Sequence, residues 1–347
     1  MPEIRSFWID RSSTSLLHLF KWCTDVTTDN LKGYKVAVLN ITLKSSTAIQ
    51  EMGNRLSTPS PPSPDLFLPV PEPTVLLEPW RKMDCGRDEL LHEVKEFKPS
   101  TEVLRIVLYG PIGAGKSSFI NSVQRVLLGR NAMCALENST FTGKSFTTKM
   151  NIHKLKKGRG EPYPLEIVDI MGIESTGGGI KPQDIIKAFE GHISDEYIFN
   201  PVAVIPDDNP KYKKNPTLSD KVHCLVCILP ADSVSRMDDK FFEEMKHVRD
   251  RASLLGIPQA IIMTRVDKAC EMVSQDLKKI YYSKKIKEKV DVCSANVGIP
   301  LSAIYPVKNY SESITQELVI DMLLLTALRD ILNFANDYVE RELEKDE

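Results

Sequence analysis

The stretch LRIVLYGPIGAGKSSFINSV, residues 104–123, decides the fold of this chain. It joins an apolar run, LRIVLY, to a glycine-rich loop and then to a segment whose apolar residues have helical spacing. The loop GPIGAGKS, residues 110–117, fits the phosphate-binding pattern G-x-x-x-x-G-K-[ST] at every fixed position. Because this pattern requires a strand before it and a helix after it, the stretch predicts a nucleoside-phosphate site in an α/β domain.

The residue types of this loop suit the binding of phosphate. Gly110, Gly113 and Gly115 let the backbone turn closely, so that successive N–H groups point at one anion. We expect Lys116 to reach the β- and γ-phosphates and the Ser117 hydroxyl to bind Mg²⁺. The loop alone does not distinguish ATP from GTP, so the choice of base depends on residues elsewhere in the chain.

On both sides of the loop, from residue 88 onward, the chain alternates short apolar runs with amphipathic stretches. This alternation is typical of a mostly parallel sheet with crossover helices on both faces. We predict a helix over residues 88–97 and a terminal helix from residue 315 to about residue 343. The predicted strands are 104–109, 150–155, 165–169, 222–229, 259–264 and 304–307.

A second pattern, D-x-x-G, follows the strand PLEIVD with its fixed residues at Asp169 and Gly172. In G proteins an aspartate at this strand end holds Mg²⁺ through water, and the glycine N–H meets the γ-phosphate. The preceding SFTTKM offers Thr147 and Thr148, and we take Thr147 as the threonine that closes over the metal. The glycines at 177–179 fit a mobile switch loop, although a plain flexible connection has the same composition.

The third pattern is TRVD, residues 264–267, at the end of the apolar run QAIIMT. G proteins usually carry N-K-x-D here, so Thr264 stands in place of the asparagine. We expect the Asp267 carboxylate to accept two hydrogen bonds from the guanine edge and the stem of Arg265 to pack on the base. The three patterns occur in the right order at the right strand ends. They predict a P-loop G domain that binds GTP or GDP with Mg²⁺.

Two places are open for a further base contact, SAN at 294–296 within a predicted helix and KNY at 308–310 after the strand AIYPV. The residues predicted to bind the nucleotide are Gly110, Gly113, Ala114, Gly115, Lys116, Ser117, Ser118, Thr147, Gly172, Thr264, Arg265 and Asp267. The predicted metal ligands are Ser117, Thr147 and Asp169.

Hydrolysis of the γ-phosphate is expected to be slow or absent. The residue after D-x-x-G is Ile173, where Ras-type enzymes have a glutamine that orients the attacking water. We assign no catalytic residue, although Glu174 or a residue from a second copy of the chain offers a polar group. Four interpretations stay open: a nucleotide switch, a GTPase that self-assembles through its G domain, an ATP-dependent kinase or ATPase, and a scaffold with a permanently bound nucleotide.

Composition and charge exclude several classes of function. The formal net charge of −2 argues against a protein whose main partner is nucleic acid. The seven cysteines are scattered and odd in number, as reduced intracellular thiols are. Neither a signal peptide nor an apolar run long enough to span a membrane is apparent, so we expect a cytoplasmic protein.

The sequence predicts three segments of different character. Residues 1–57 are weakly patterned and form a leader of undefined fold. Residues 58–79 are dense in proline, which prevents regular structure and is typical of a linker with polyproline II character. Residues 80–347 form the predicted G domain, including its C-terminal helix.

With these residues in view, the chain resembles the interferon-induced protein 44 family, including its 44-like branch. The resemblance is carried by LRIVLYGPIGAGKSSFINSV, DIMGIE, KVHCLVCIL, TRVD, GIPLSAIYPVKNY and LLLTALRDIL, and it covers about residues 78–340. It implies a cytoplasmic G-domain protein that is induced in innate immune and antiviral responses. Family members often carry a separate N-terminal TLDc module, of which residues 1–57 show no convincing sign. More distantly, the G domain is similar to the immune-associated GTPases and septins.

Overall fold

A six-stranded sheet forms the centre of the described part of the chain. The computed structural model describes residues 74–83, 85–135, 148–174, 179–311 and 313–346, which all lie in the unit that spans residues 71–347. The strands are β1 (Leu104–Tyr109), β2 (Asn151–Lys156), β3 (Pro162–Asp169), β4 (Cys224–Pro230), β5 (Gln259–Thr264) and β6 (Ile304–Pro306). Their order in space is β2-β3-β1-β4-β5-β6, with β2 antiparallel to β3 and all other neighbours parallel.

Helices connect these strands and flank the sheet. The α-helices in the described residues are α1 (Arg87–Lys95), α2 (Lys116–Leu128), α3 (Pro182–Phe189), α4 (Asp239–Leu254), α5 (Val266–Ala269), α6 (Glu271–Gln275), α7 (Lys284–Val297) and α8 (Leu318–Asp346). Short 3₁₀ turns occupy Leu218–Asp220, Val234–Arg236, Leu277–Tyr282 and Leu301–Ala303.

Helices cover both faces of the sheet. α8 packs against β1, β4, β5 and β6 together with its neighbours α1 and α2, whereas α4 packs against α3 and α7. In β4 every residue is buried. Because neighbouring side chains of a strand point to opposite faces, a strand buried throughout needs cover on both sides. The mostly parallel α/β fold that the sequence predicts is confirmed.

The bounds of the elements follow the predicted pattern closely. The predicted strands 104–109 and 259–264 coincide with β1 and β5. β3 begins at Pro162 rather than at the predicted residue 165, because Lys156 of β2 pairs with Pro162 in a hairpin. The other ends of the predicted elements differ from the observed ends by no more than three residues.

A buried histidine delays the start of β4. His223 is 0% exposed, and its Nδ1 accepts a hydrogen bond from the backbone N–H of Arg105 at 3.0 Å. Its Nε2 donates to the carbonyl of Leu218 at 3.1 Å, so both ring nitrogens are used by the neutral ring. Burial lowers the pKa of His223 below its ordinary value. The strand proper then begins at Cys224 instead of the predicted Val222.

Residues 74–83 pack against the end of the sheet at β6, the last strand in the sheet order. Arg81 donates from Nη1 to the carbonyl of Ile304 at 2.7 Å and from Nη2 to that of Leu301 at 2.5 Å. The same guanidinium lies 5.1 Å from the centre of the Trp80 ring. The segment is therefore held by hydrogen bonds and by a cation–π contact.

The predicted boundaries of the leader and the linker stay predictions. Of the linker, residues 74–79 are described, and the backbone N–H of Leu76 donates to the carbonyl of Tyr282 at 2.8 Å, so these last residues are hydrogen-bonded to the domain. Residues 1–57 lie outside the described residues, as does Thr147. No helix in the described part of the chain is long and apolar enough to cross a membrane.

The carboxyl ends of the parallel strands place the sequence patterns together. In parallel sheets these ends share one edge, where ligands are usually bound. The phosphate loop follows β1, the D-x-x-G pattern follows β3, TRVD ends β5, and residues 308–310 follow β6. The fold thus assembles the predicted site from loops that are far apart in sequence.

Candidate nucleotide-binding site

Glycine shapes the phosphate loop between β1 and α2. Gly110 has φ 142°, and a Cβ at this position would lie 2.2 Å from the carbonyl oxygen of Ile228 in β4. Gly113 and Gly115 also have positive φ, at 71° and 95°. A side chain at Gly110 would clash with the backbone of β4, so the loop can lie this close only with glycine there. The N-terminus of α2 follows at once, and its N–H groups and dipole favour an anion.

Three successive carbonyls of the loop, at residues 113–115, accept hydrogen bonds from side chains at the ends of β5 and β6. A peptide unit is planar and trans, so its N–H points away from its carbonyl. Holding the carbonyls of Ala114 and Gly115 therefore turns the N–H groups that follow them toward the opposite side of the loop, where phosphate would bind. The N–H that follows the Gly113 carbonyl, at Ala114, instead donates to the carbonyl of Pro111 at 3.2 Å and closes a turn within the loop. The donors are Arg265 Nη2 to Gly113, Thr264 Oγ1 to Ala114 (2.6 Å) and Asn309 Nδ2 to Gly115 (3.1 Å).

Lys116 and Ser117 begin α2 close to Asp169. Lys116 is 8% exposed, and its Nζ lies 3.4 Å from the carbonyl oxygen of Gly110 and 3.3 Å from that of Pro111. Burial lowers the pKa of Lys116, and the Asp169 carboxylate acts in the opposite direction. Ser117 Oγ donates to Asp169 Oδ2 at 3.0 Å. A cationic group, a hydroxyl and a carboxylate thus lie together at the start of α2.

These oxygen atoms fit a magnesium ion. Mg²⁺ prefers oxygen ligands, keeps several waters and is commonly held by one or two protein groups together with phosphates of the substrate. Ser117 and Asp169 bring one hydroxyl and one carboxylate into contact beside the loop. The third predicted ligand, Thr147, belongs to the part of the chain that is not described. In the described residues no group of three or more His, Cys, Asp or Glu side chains is arranged to hold a metal.

The D-x-x-G segment lies directly against the phosphate loop. Ile173 N donates to the carbonyl of Gly110 at 3.0 Å, and Ile112 N donates to the carbonyl of Ile173 at 3.2 Å. A Cβ on Gly172 would lie 2.9 Å from Ile112 Cα, so this approach requires glycine. Ile173 is 1% exposed and presents no polar group, while the next residue, Glu174, is half-buried. Contact of Gly172 with a γ-phosphate stays a prediction.

Asp267 presents an available carboxylate at this edge. It lies half-exposed in α5 and forms no hydrogen bond or ion pair with any residue that the structure describes. A carboxylate in this state accepts hydrogen bonds from a ligand without first losing a protein partner. Thr264 and Arg265, just before it, donate to the phosphate loop. The TRVD segment therefore connects the predicted base site to the loop.

Of the two places open for a further base contact, residues 308–310 lie beside the phosphate loop. The Oδ1 atom of Asn309 is buried there without a hydrogen-bond partner among the described residues. Residues 294–296 instead lie in α7, near whose end the carbonyl of Gly298 accepts a hydrogen bond from Arg249 at 2.8 Å. Arg249 belongs to the part of α4 that leads into β5, at the amino edge of the sheet. The 294–296 segment is therefore far from the loop.

Sequence reasoning did not find Asp232. This residue follows β4 by two positions, at the same sheet edge as the loop. Its Oδ2 lies 3.7 Å from Arg265 Nη1, and its Oδ1 is buried without a hydrogen-bond partner among the described residues. An acidic residue just past a fully buried parallel strand is the one sequence signal that points to it.

The strand order, the phosphate loop after the central strand β1, and the D-x-x-G and TRVD segments at the same edge define a P-loop protein with the G-domain fold. The class follows from these features of the chain itself.

Within that class, the chain is a homologue of the interferon-induced protein 44 and 44-like proteins. It is 32% identical to interferon-induced protein 44 of Homo sapiens over 258 residues, 73% of this chain and 58% of that protein. It is 30% identical to interferon-induced protein 44-like of Homo sapiens over 259 residues, 73% of this chain and 57% of that protein. The mouse interferon-induced protein 44 is 31% identical, and the match covers 60% of it. The chain thus spans less than two thirds of these relatives.

Solved structures give more distant matches. Toc33 from Arabidopsis thaliana, in complex with GDP and Mg²⁺, is 13% identical with a TM-score of 0.42, over 72% of this chain and 90% of that chain. A probable GTP-binding protein engB is 16% identical with a TM-score of 0.32, over 59% of this chain and 88% of that chain. No protein-family model matches the sequence.

Proposed function

We propose that this chain binds GTP and GDP with Mg²⁺ and acts as a nucleotide-dependent switch with slow or no intrinsic hydrolysis. The observation that carries the proposal is the carboxylate of Asp267, which has no partner among the described residues and lies in the segment that holds the phosphate loop. Its pairing with a P-loop favours guanine over adenine, because a carboxylate accepts from the N–H groups of the guanine edge.

Each group at the site has a role in this proposal. Lys116 neutralises the β- and γ-phosphates, and Ser117 and Asp169 hold the metal, directly or through water. When bound, Mg²⁺ neutralises phosphate charge. Asp267 selects the base, and the aliphatic stem of Arg265 packs against it. Thr147 and Gly172 close over the metal and the γ-phosphate, so that the loops around the site respond to GTP.

Slow turnover follows from the residue after D-x-x-G. Ile173 is buried and apolar, so no side chain at this position orients an attacking water. Any stimulation of GTP hydrolysis is proposed to come from a second copy of the chain, associated through the G domain. The names of the relatives connect the chain to the interferon response. We propose that it acts in the cytoplasm, in innate immune and antiviral defence, and that nucleic acid is not its partner.

Titration calorimetry with GTP, GDP and ATP, each with and without Mg²⁺, tests the binding. We expect Mg²⁺-dependent binding of guanine nucleotides, and a Lys116→Ala variant that binds about 10- to 100-fold more weakly because a charge-assisted contact is lost. Lys246→Ala, an exposed lysine of α4, is the matched control and should bind like the wild type. Absence of association with either guanine nucleotide would refute the proposal.

Base selection has its own test. Asp267→Asn should shift preference from guanine toward xanthine nucleotides, because the amide donates where the carboxylate accepts. Equal affinity for ATP and GTP in the wild type, or an unchanged preference in the variant, would contradict the role of Asp267.

Single-turnover cleavage of GTP at several protein concentrations tests the proposal that intrinsic hydrolysis is slow or absent. Fast cleavage that is independent of concentration would show an efficient enzyme instead.

A further inference from the structure

We propose that Asp232 positions the guanidinium of Arg265 against the phosphate loop and so slows the release of bound nucleotide. The inference rests on the proposed binding of guanine nucleotide and adds a residue that none of the three sequence patterns contains. It concerns how long the nucleotide stays, not which base is chosen.

Asp232 is fixed in place by the sheet. The backbone N–H of Ala231 donates to the carbonyl of Thr264 at 2.8 Å, so the chain beyond β4 stays beside the end of β5. The Asp232 side chain is only 24% exposed. One carboxylate oxygen lies 3.7 Å from Arg265 Nη1, and the other is buried without a hydrogen-bond partner among the described residues. Burying a carboxylate oxygen without a hydrogen bond costs free energy, so the nearby positive charge of Arg265 stabilises Asp232.

A negatively charged partner helps to fix the conformation of Arg265. It is one of two non-glycine residues in the described chain with positive φ, at 57°, a conformation that is costly for a side-chain-bearing residue. From there its Nη2 donates to the carbonyl of Gly113. A long arginine side chain has many rotamers, and holding it in one of them costs entropy. The Asp232 charge favours the rotamer in which the guanidinium lies between the carboxylate and the loop.

The contact affects the phosphate site through the backbone. With Arg265 in place, the Gly113 carbonyl is held, next to the Ala114 carbonyl that Thr264 holds. The N–H of this peptide unit, at Ala114, donates to the carbonyl of Pro111 at 3.2 Å. Loss of the Arg265 contact therefore loosens this turn and, through it, the alignment of the N–H groups that follow it in the loop. GDP and GTP share the phosphates that the loop binds, so both should be released faster by the same factor. Base preference, which depends on Asp267, should not change.

The test compares release of a fluorescent GDP from the wild type, Asp232→Asn and Asp239→Asn. Asp239 is an exposed aspartate at the start of α4, so its variant makes the same chemical change away from the loop. We expect release from Asp232→Asn to be about fivefold faster, the scale of a partly exposed ion pair. Release from Asp239→Asn should match the wild type. The ratio of GDP to xanthosine diphosphate affinity should be the same in all three proteins.

A double variant separates positioning from general support. If Asp232 acts through Arg265, then Arg265→Ala and the Asp232→Asn/Arg265→Ala double variant should release GDP at the same rate. Additive effects would overturn the inference. Asp232→Glu, which keeps the charge, should retain slow release, and the thermal midpoint of each nucleotide-free variant reports its folding. If the wild type binds GDP but Asp232→Asn and Asp232→Glu both behave like it, only this inference fails. If the wild type binds no GDP, the proposed function fails with it.

Discussion

Replacing Thr264 with valine removes one hydroxyl from the contact between β5 and the phosphate loop. Thr264 is 0% exposed, and its Oγ1 lies 2.6 Å from the carbonyl oxygen of Ala114. Valine has nearly the same shape, so the main effect is a buried carbonyl that loses this donor, at a cost of about 1–3 kcal/mol. For a domain of this size, each kcal/mol lowers Tm by about 2 °C. The nucleotide-free variant should therefore melt about 2–6 °C below the wild type.

Two measurements on matched variants check this reasoning. Thr264→Ser keeps the hydroxyl and loses one methyl group, which costs about 1 kcal/mol in a buried site. Calorimetric melting should rank the proteins as wild type, serine variant and valine variant. GDP affinity should fall about tenfold in the valine variant, if about 1.4 kcal/mol of loop ordering is lost, and much less in the serine variant. A valine variant with the Tm and GDP affinity of the wild type would refute the role of this hydroxyl.

Two other parts of the fold give predictions of their own. Arg81→Ala loses two hydrogen bonds to backbone carbonyls and a cation–π contact, so urea unfolding should show a free energy of unfolding about 1–3 kcal/mol lower. Arg81→Lys should recover part of this lost free energy. An unchanged urea midpoint in Arg81→Ala would contradict the packing of residues 74–83. His223 has a pKa lowered by burial, so the unfolded chain binds more protons in the window between that lowered pKa and the ordinary 6.5. The contribution of the buried, neutral His223 ring to stability should therefore be complete above pH 6.5 and fall as the pH drops through that window. Thermal melts across pH can follow this fall, and His223→Gln should flatten that part of the profile.

The parts of the fold that sequence predicted are those with a local signal. β1 and β5 are apolar runs that end in chemically distinctive residues, and both were placed at their observed bounds. β3 begins three residues before its predicted start, and these residues include Pro162 and Pro164, which are unfavourable inside a strand. Pairing of β3 with β1 starts only at Leu165, so at the two prolines no bond from that neighbour is lost.

The candidate site also contains residues that the sequence predicts and residues that it does not. Lys116, Asp169 and Asp267 belong to recognisable patterns at or just after strand ends, and the parallel sheet brings them to one edge because those ends coincide. Asp232 and the contact of Asn309 with the loop depend on how two separate loops pack against a third. Polar residues in loops carry no periodicity, so only the three-dimensional arrangement reveals such pairs.

The packing of residues 74–83 against β6 bears on how this domain should be prepared. The last strand of a sheet can pair with a strand of another molecule unless its edge is covered. Here the edge strand is β6, and Arg81 covers part of it by donating a hydrogen bond to the carbonyl of Ile304. A fragment trimmed to begin at α1 would keep every residue of the phosphate site and still lose that protection. It should precipitate or associate where a fragment that starts before Thr74 remains dispersed.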